Sequence, residues 1–113
     1  MVNPPSTNYL TVPDLVERLH STPSKIRRMI EQNQLAAVRI DGVLSIPELF
    51  LDGNEPLASL HGTLVLLHDA GFSDDEAVAW LFDDDAGLDV SPIMALRAGR
   101  KSEVRRTAQA LAF

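Results

Sequence analysis

Six side chains between positions 24 and 39 have the right types to bind a nucleic acid: Ser24, Lys25, Arg27, Arg28, Gln32 and Arg39. Arginine presents two donors that match the acceptor edge of guanine, and glutamine can pair with adenine in the same two-bonded way. Lysine and serine more often take phosphate oxygens, which fix register without reading sequence. Glu31 stands among them, and a carboxylate there can accept from the amino group of cytosine. The bland alternative is a solvated helix face on which Arg27 and Glu31 form an i, i+4 pair. The flanking segments decide between the two.

Thr22 is a capping residue and Pro23 suits the first helical position, so the spacing predicts a helix over 23–33. Ile26, Met29 and Ile30 recur at intervals of three and four and form its core-facing stripe. The opposite side is then centred on Ser24, Arg28 and Glu31, with Lys25, Arg27 and Gln32 beside it. Upstream, Thr11 followed by Asp14 marks another helix start. Val12, Leu15, Val16 and Leu19 give that helix one apolar side. His20-Ser21 is the turn between the two helices, and Asn33 closes the second because asparagine tolerates left-handed backbone. Downstream, residues 37–40 and 43–46 are two β-prone runs separated by Asp41-Gly42, a strong two-residue hairpin signal. Arg39 leads into that hairpin, within reach of a flanking phosphate or the minor groove, and Gly42 sits in the turn of the wing that flanks the backbone. Helix, tight turn, helix and two-stranded hairpin make a winged helix-turn-helix.

The run Leu10-Thr11-Val12-Pro13-Asp14, then Pro23 to Arg28, then Leu35 to Gly42, resembles the small wing-bearing helix-turn-helix shared by excisionases and MerR-type regulators. Leu66 to Phe72, Trp80-Leu81-Phe82 and Glu103 to Ala110 narrow the resemblance to a small actinobacterial DNA-binding family. The resemblance runs over residues 9–113 and implies an N-terminal DNA-reading module followed by a helical C-terminal domain. Two positions depart from the pattern: His20-Ser21 stands where glycine and an apolar residue are usual, and Asn33 where glycine is common.

The chain has 113 residues, 45% of them hydrophobic, which suits one small domain or one domain with a helical appendage. It has no cysteine, so disulfides, thiolate metal sites and cysteine nucleophiles are excluded. No signal peptide and no run of about 20 apolar residues is visible, so a cytoplasmic protein without membrane contact is expected, and the family resemblance implies a bacterial, nucleoid-associated one. The net charge is −6. Residues 1–47 hold five Lys/Arg and four Asp/Glu, residues 48–90 none and eleven, and residues 91–113 five and one. The acid is therefore concentrated in the middle, and both ends are locally basic. Such a balance predicts modest, salt-sensitive DNA affinity for one copy.

Residues 1–8 read as a disordered tail, passive or carrying a phosphorylation site for a Ser/Thr kinase at Ser6 or Thr7. Residues 48–56 read as a connector whose Leu49, Phe50 and Leu51 dock on the core, and 57–113 as the helical domain. Within it, Leu57, Leu60, Leu64 and Leu67 mark a third helix ended by Gly71. Ser73 to Glu76 is a capping box opening a fourth, Ser91-Pro92 starts a fifth, and a last helix runs towards Ala112. Asp83-Asp84-Asp85 are consecutive, unlike the alternating ligands of a calcium loop, and read as solvated. His61 and His68 are seven apart on one helix, about 10 Å along the axis and too far to share a tetrahedral ion. Arg97, Arg100, Lys101, Arg105 and Arg106 have two readings: extra phosphate contacts, or neutralisation of the acidic segment, which lies next in sequence and is favoured. No nucleophile–base pair or phosphate loop is recognisable. The expectation is a mainly α, non-enzymatic, cofactor-free and metal-free regulator of transcription. It would bind double-stranded DNA through helix 23–33 and the 37–46 wing, as a homodimer or with a protein partner. The alternative is a protein-interaction adaptor that captures a partner through the Leu-rich third helix or the Trp80 region.

Overall fold

The computed structural model describes residues 8–112, so Ser6 and Thr7 lie outside the described residues. Strand β1 (Tyr9–Thr11) runs directly into helix α1 (Val12–Arg18). Thr11 ends the strand and caps the helix. Its side chain accepts from the Asp14 N–H, and the Asp14 carboxylate accepts the Thr11 N–H at 2.9 Å. Two of the free donors at the helix start are thereby satisfied together. His20 takes φ 51° in the turn that follows.

Helix α2 (Pro23–Glu31) starts as the sequence reading has it, with the Thr22 hydroxyl accepting from the Lys25 N–H at 3.3 Å. Its last two expected residues form the cap instead, since Asn33 turns to φ 62° and the Gln34 N–H folds back onto the Met29 carbonyl at 2.8 Å. Strands β2 (Val38–Ile40) and β3 (Val43–Pro47) pair around Asp41 at φ 52° and Gly42 at φ 80°. Positive φ at both central residues matches the twist of the flanking strands.

The sheet has three strands in the order β1-β3-β2, one more than the expected hairpin. β1 pairs antiparallel with β3, Leu10 opposite Ile46, and thereby anchors the wing to the start of α1. Residues 48–56 form a single 3-10 turn (Glu48–Phe50) followed by a second small hairpin, β4 (Leu51–Asp52) and β5 (Glu55–Pro56). Gly53 takes φ 64° in its turn. Phe50 and Leu51 are fully buried, and the Phe50 ring stacks on Phe82 with centroids 5.9 Å apart.

The C-terminal half is helical: α3 (Leu60–Asp69), α4 (Asp74–Leu81), α5 (Pro92–Arg97) and α6 (Lys101–Gln109). Ser73 and Glu76 complete the capping box of α4, and Gly71 at φ 95° closes α3. One apolar cluster runs from Leu15 and Ile26 through Phe50 to Leu60, Leu64, Leu67, Leu81, Ile93 and Val104. The Leu-rich stripe of α3 and the Trp80 ring are therefore core. Neither offers the docking surface that the adaptor alternative requires. No helix among the described residues is long and apolar enough to cross a membrane.

Candidate nucleic-acid interface

Ile26 is buried beneath α2, with Met29 and Ile30 half-buried beside it. That fixes the rotation of the helix and leaves Ser24, Lys25, Arg27, Arg28 and Gln32 exposed, as their spacing predicts. Arg28 lies near the middle of the outward face, with Arg27 and Lys25 on opposite flanks. Arg39 and Gly42 are exposed on the wing, and the Arg39 guanidinium donates to the Gly42 carbonyl at 3.2 Å. That bond holds the charge against the wing turn.

Among the described residues, no carboxylate lies within 4.0 Å of Lys25, Arg27, Arg28 or Arg39. The Arg27–Glu31 pair of the bland alternative is not formed. Arg18 behaves differently: it pairs with Glu48 at 2.6 Å and reaches the Gly53 carbonyl at 3.2 Å. Its hydrogen bond, with a second from Asn8, holds the Glu48 carboxyl below the usual range. So α1 spends its arginine bracing residues 48–56, whereas α2 and the wing present theirs to solvent.

The C-terminal cations divide in a way the sequence reading missed. Arg97 donates to the backbone carbonyls of Leu49 and Leu51 at 2.9 and 2.6 Å. Arg100 pairs with Asp89 of the acidic segment at 2.7 Å and also with Glu103 at 2.6 Å. Lys101, Arg105 and Arg106 form no ion pair among the described residues. Direct pairing of these cations with the middle segment is therefore confined, among the described residues, to Arg100.

The hydrogen bonds from Arg100 hold the Asp89 and Glu103 carboxyls below their ordinary values. A depressed carboxyl stabilises the fold at pH values above its unfolded pKa, and that contribution fades as pH falls through the folded pKa. The loss therefore lies on the acid side of about pH 4. In Arg100→Ala both carboxyls should titrate near the ordinary value of about 4 in carbon-detected NMR, and clearly lower in the wild type. Unchanged midpoints would contradict the pairing.

The two histidines on α3 each have a separate partner. His68 Nε2 meets Asp74 at 2.7 Å, and His61 Nδ1 meets the Asn33 carbonyl at 3.2 Å. The second contact joins the first turn of α3 to the end of α2. Among the described residues no three His, Asp or Glu side chains gather as a metal site would require.

Residues 2–51 match the family described as the wHTH domain of DNA-binding protein Rv2175c. Residues 57–112 match the Rv2175c C-terminal domain of unknown function. The DNA-binding protein Rv2175c of Mycobacterium tuberculosis is 32% identical over an alignment of 126 positions, covering 100% of this chain and 86% of the relative. The NMR structure of Rv2175c superposes with a TM-score of 0.88, again over 100% of this chain and 86% of that one. With the N-terminal module, the C-terminal domain and the arrangement of both matched along the whole chain, this protein belongs to the small actinobacterial winged helix-turn-helix family of Rv2175c.

Proposed function

We propose that the protein binds double-stranded DNA without catalysing a reaction and acts in transcriptional regulation. In this reading α2 enters the major groove, Arg27, Arg28 and Gln32 reach base edges, and Ser24 and Lys25 hold phosphates. Arg39 and the Gly42 turn lie along the flanking backbone. One observation carries it. In a chain of net charge −6, the cations of α2 and the wing stay exposed and form no ion pair among the described residues, while Arg18 and Arg100 are held in ion pairs. The name of the mycobacterial relative supports the same reading.

A single module has a small footprint, so stable specific binding calls for a second copy or a protein partner. A phosphate that a Ser/Thr kinase adds at Ser6 or Thr7 brings about −1.5 to −2 charge two or three positions before Tyr9 in the sequence. It opposes DNA binding, and the phosphorylated protein should bind more weakly in the titration below. A nucleoid location follows if the DNA reading holds.

The test is fluorescence anisotropy with a random-sequence duplex over a salt series. Micromolar binding that weakens as salt rises, with a slope reflecting several neutralised phosphates, is the expected result. Folded protein that leaves anisotropy flat at low salt would sink the reading.

A further inference from the structure

His20, in the turn between α1 and α2, stands apart from the other histidines. His61 meets the Asn33 carbonyl and His68 the Asp74 carboxylate. The His20 side chain is exposed and has no carboxylate within 4.0 Å among the described residues. Its backbone sits at φ 51°, a left-handed conformation that glycine takes freely and an L side chain takes at a cost. Burial of the imidazole does not offset that cost, because the ring is left in solvent. A strained residue with its side chain turned over to water points to a task outside the fold.

Chain connectivity limits where that side chain can act. Three peptide units join His20 to Pro23, the first residue of α2, so their Cα atoms are at most about 11 Å apart. The first turn of α2 carries no acid, the Lys25 N–H is taken by the Thr22 hydroxyl, and the Ser24 N–H has no partner within the helix. A helix start of this kind favours an anion beside it. A recognition helix enters the major groove by its N-terminal residues, and that groove is about 12 Å wide between its phosphate walls. A side chain at the mouth of the helix is therefore in range of a phosphate. The imidazole is the side chain that gains positive charge between about pH 8 and pH 5. We propose that His20 is a phosphate contact to DNA made in its protonated form, so that the protein binds duplex more tightly as pH falls from about 8 to about 6. The contact rests on the reading of α2 as the DNA-reading helix. The other charged groups of the two helices that meet at the turn are Asp14, Glu17 and Arg18 on α1 and Lys25, Arg27, Arg28 and Glu31 on α2. Asp14 is tied to Thr11 and Arg18 to Glu48, and none of these residue types changes charge over that pH range.

The test compares wild type, His20→Gly and His20→Asn by anisotropy on a random-sequence duplex at about pH 6 and pH 8, each across salt. Wild type should bind about threefold to tenfold more tightly at the lower pH, with a log–log salt slope steeper by about one, the signature of one added phosphate contact. Glycine and asparagine both accept left-handed backbone and have no charge to gain. Both variants should therefore match wild type at the higher pH and lack its gain at the lower one. His61 and His68 are present in all three proteins, so any pH dependence they cause cancels in the comparison. His20→Gly exchanges left-handed strain for a looser unfolded chain, and its unfolding temperature should stay within a few degrees of wild type. Loss of structure cannot imitate a defect confined to one pH. The same pH dependence in wild type and His20→Gly, or an equal drop at both pH values, overturns the contact while the role of α2 stands. Wild-type protein that binds no duplex at either pH removes the DNA reading and the contact with it.

Discussion

Replacing Arg27 and Arg28 together with alanine should weaken binding to duplex DNA about a hundredfold at low salt, at roughly 1–3 kcal/mol per contact. The unfolding temperature should hardly move, because exposed substitutions of this kind stay within about 0.5 kcal/mol. The two expectations are independent, and both follow from exposure. Neither guanidinium has a carboxylate partner among the described residues, so removing it leaves no buried charge and breaks no internal bond. Alanine is also the best helix former, so α2 loses nothing locally. The salt slope should fall by about two if both side chains neutralise phosphates, and less if one of them works on bases. Arg28, in the middle of the outward face, should account for more of the loss than Arg27 on its flank. Double-variant binding indistinguishable from wild type, measured by anisotropy on folded protein, would take the DNA surface away from α2.

The features legible in the sequence are those whose causes lie within a few residues. Thr11 with Asp14 and Ser73 with Glu76 are capping boxes whose partners are three residues apart, and both form. Asp41-Gly42 needs no distant partner to set its two positive φ angles, and the hairpin follows. The outward face of α2 comes from helical period alone. Features that depend on distant partners were not legible. Tyr9–Thr11 is too short to show a strand period, and it becomes a strand only because residues 45–47 lie alongside. Arg18 meets Glu48 thirty positions away, and Arg97 meets Leu51 forty-six away. Gly62 lies against the Arg105 side chain, forty-three positions away. The same limit governs the candidate site. The positions of its cations were readable, but their lack of acidic partners was not, because a partner can come from any part of the chain.

Phe50→Ala should be the most damaging single truncation outside the helices, costing about 3–5 kcal/mol. Total stability for a domain is about 5–15 kcal/mol, so roughly a fifth of it at the least is at stake. At a few degrees per kcal/mol for a chain of this length, the unfolding temperature should drop by about 12–20 °C. Sequence alone puts Phe50 in a connector and, from its apolar character, docked on the core, but does not name what it packs against. In the fold the ring is completely buried and stacks on Phe82 at the end of α4. It lies three residues after the end of β3 and belongs to the one apolar cluster that the wing module and the helical half share. An aromatic pair of this geometry adds about 0.5–1.5 kcal/mol beyond the buried area. The cavity left by alanine would open at the junction, where each half supplies part of the lining. From that continuity we propose that residues 9–47 and 57–113 unfold together. Wild-type protein should then show one urea transition, with the same midpoint by far-UV circular dichroism and by Trp80 fluorescence. Trp80 lies on α4, in the helical half. Two separated midpoints in the wild type would mean that the halves fold independently, and a loss under 1 kcal/mol in Phe50→Ala would return residues 48–56 to the role of a passive link.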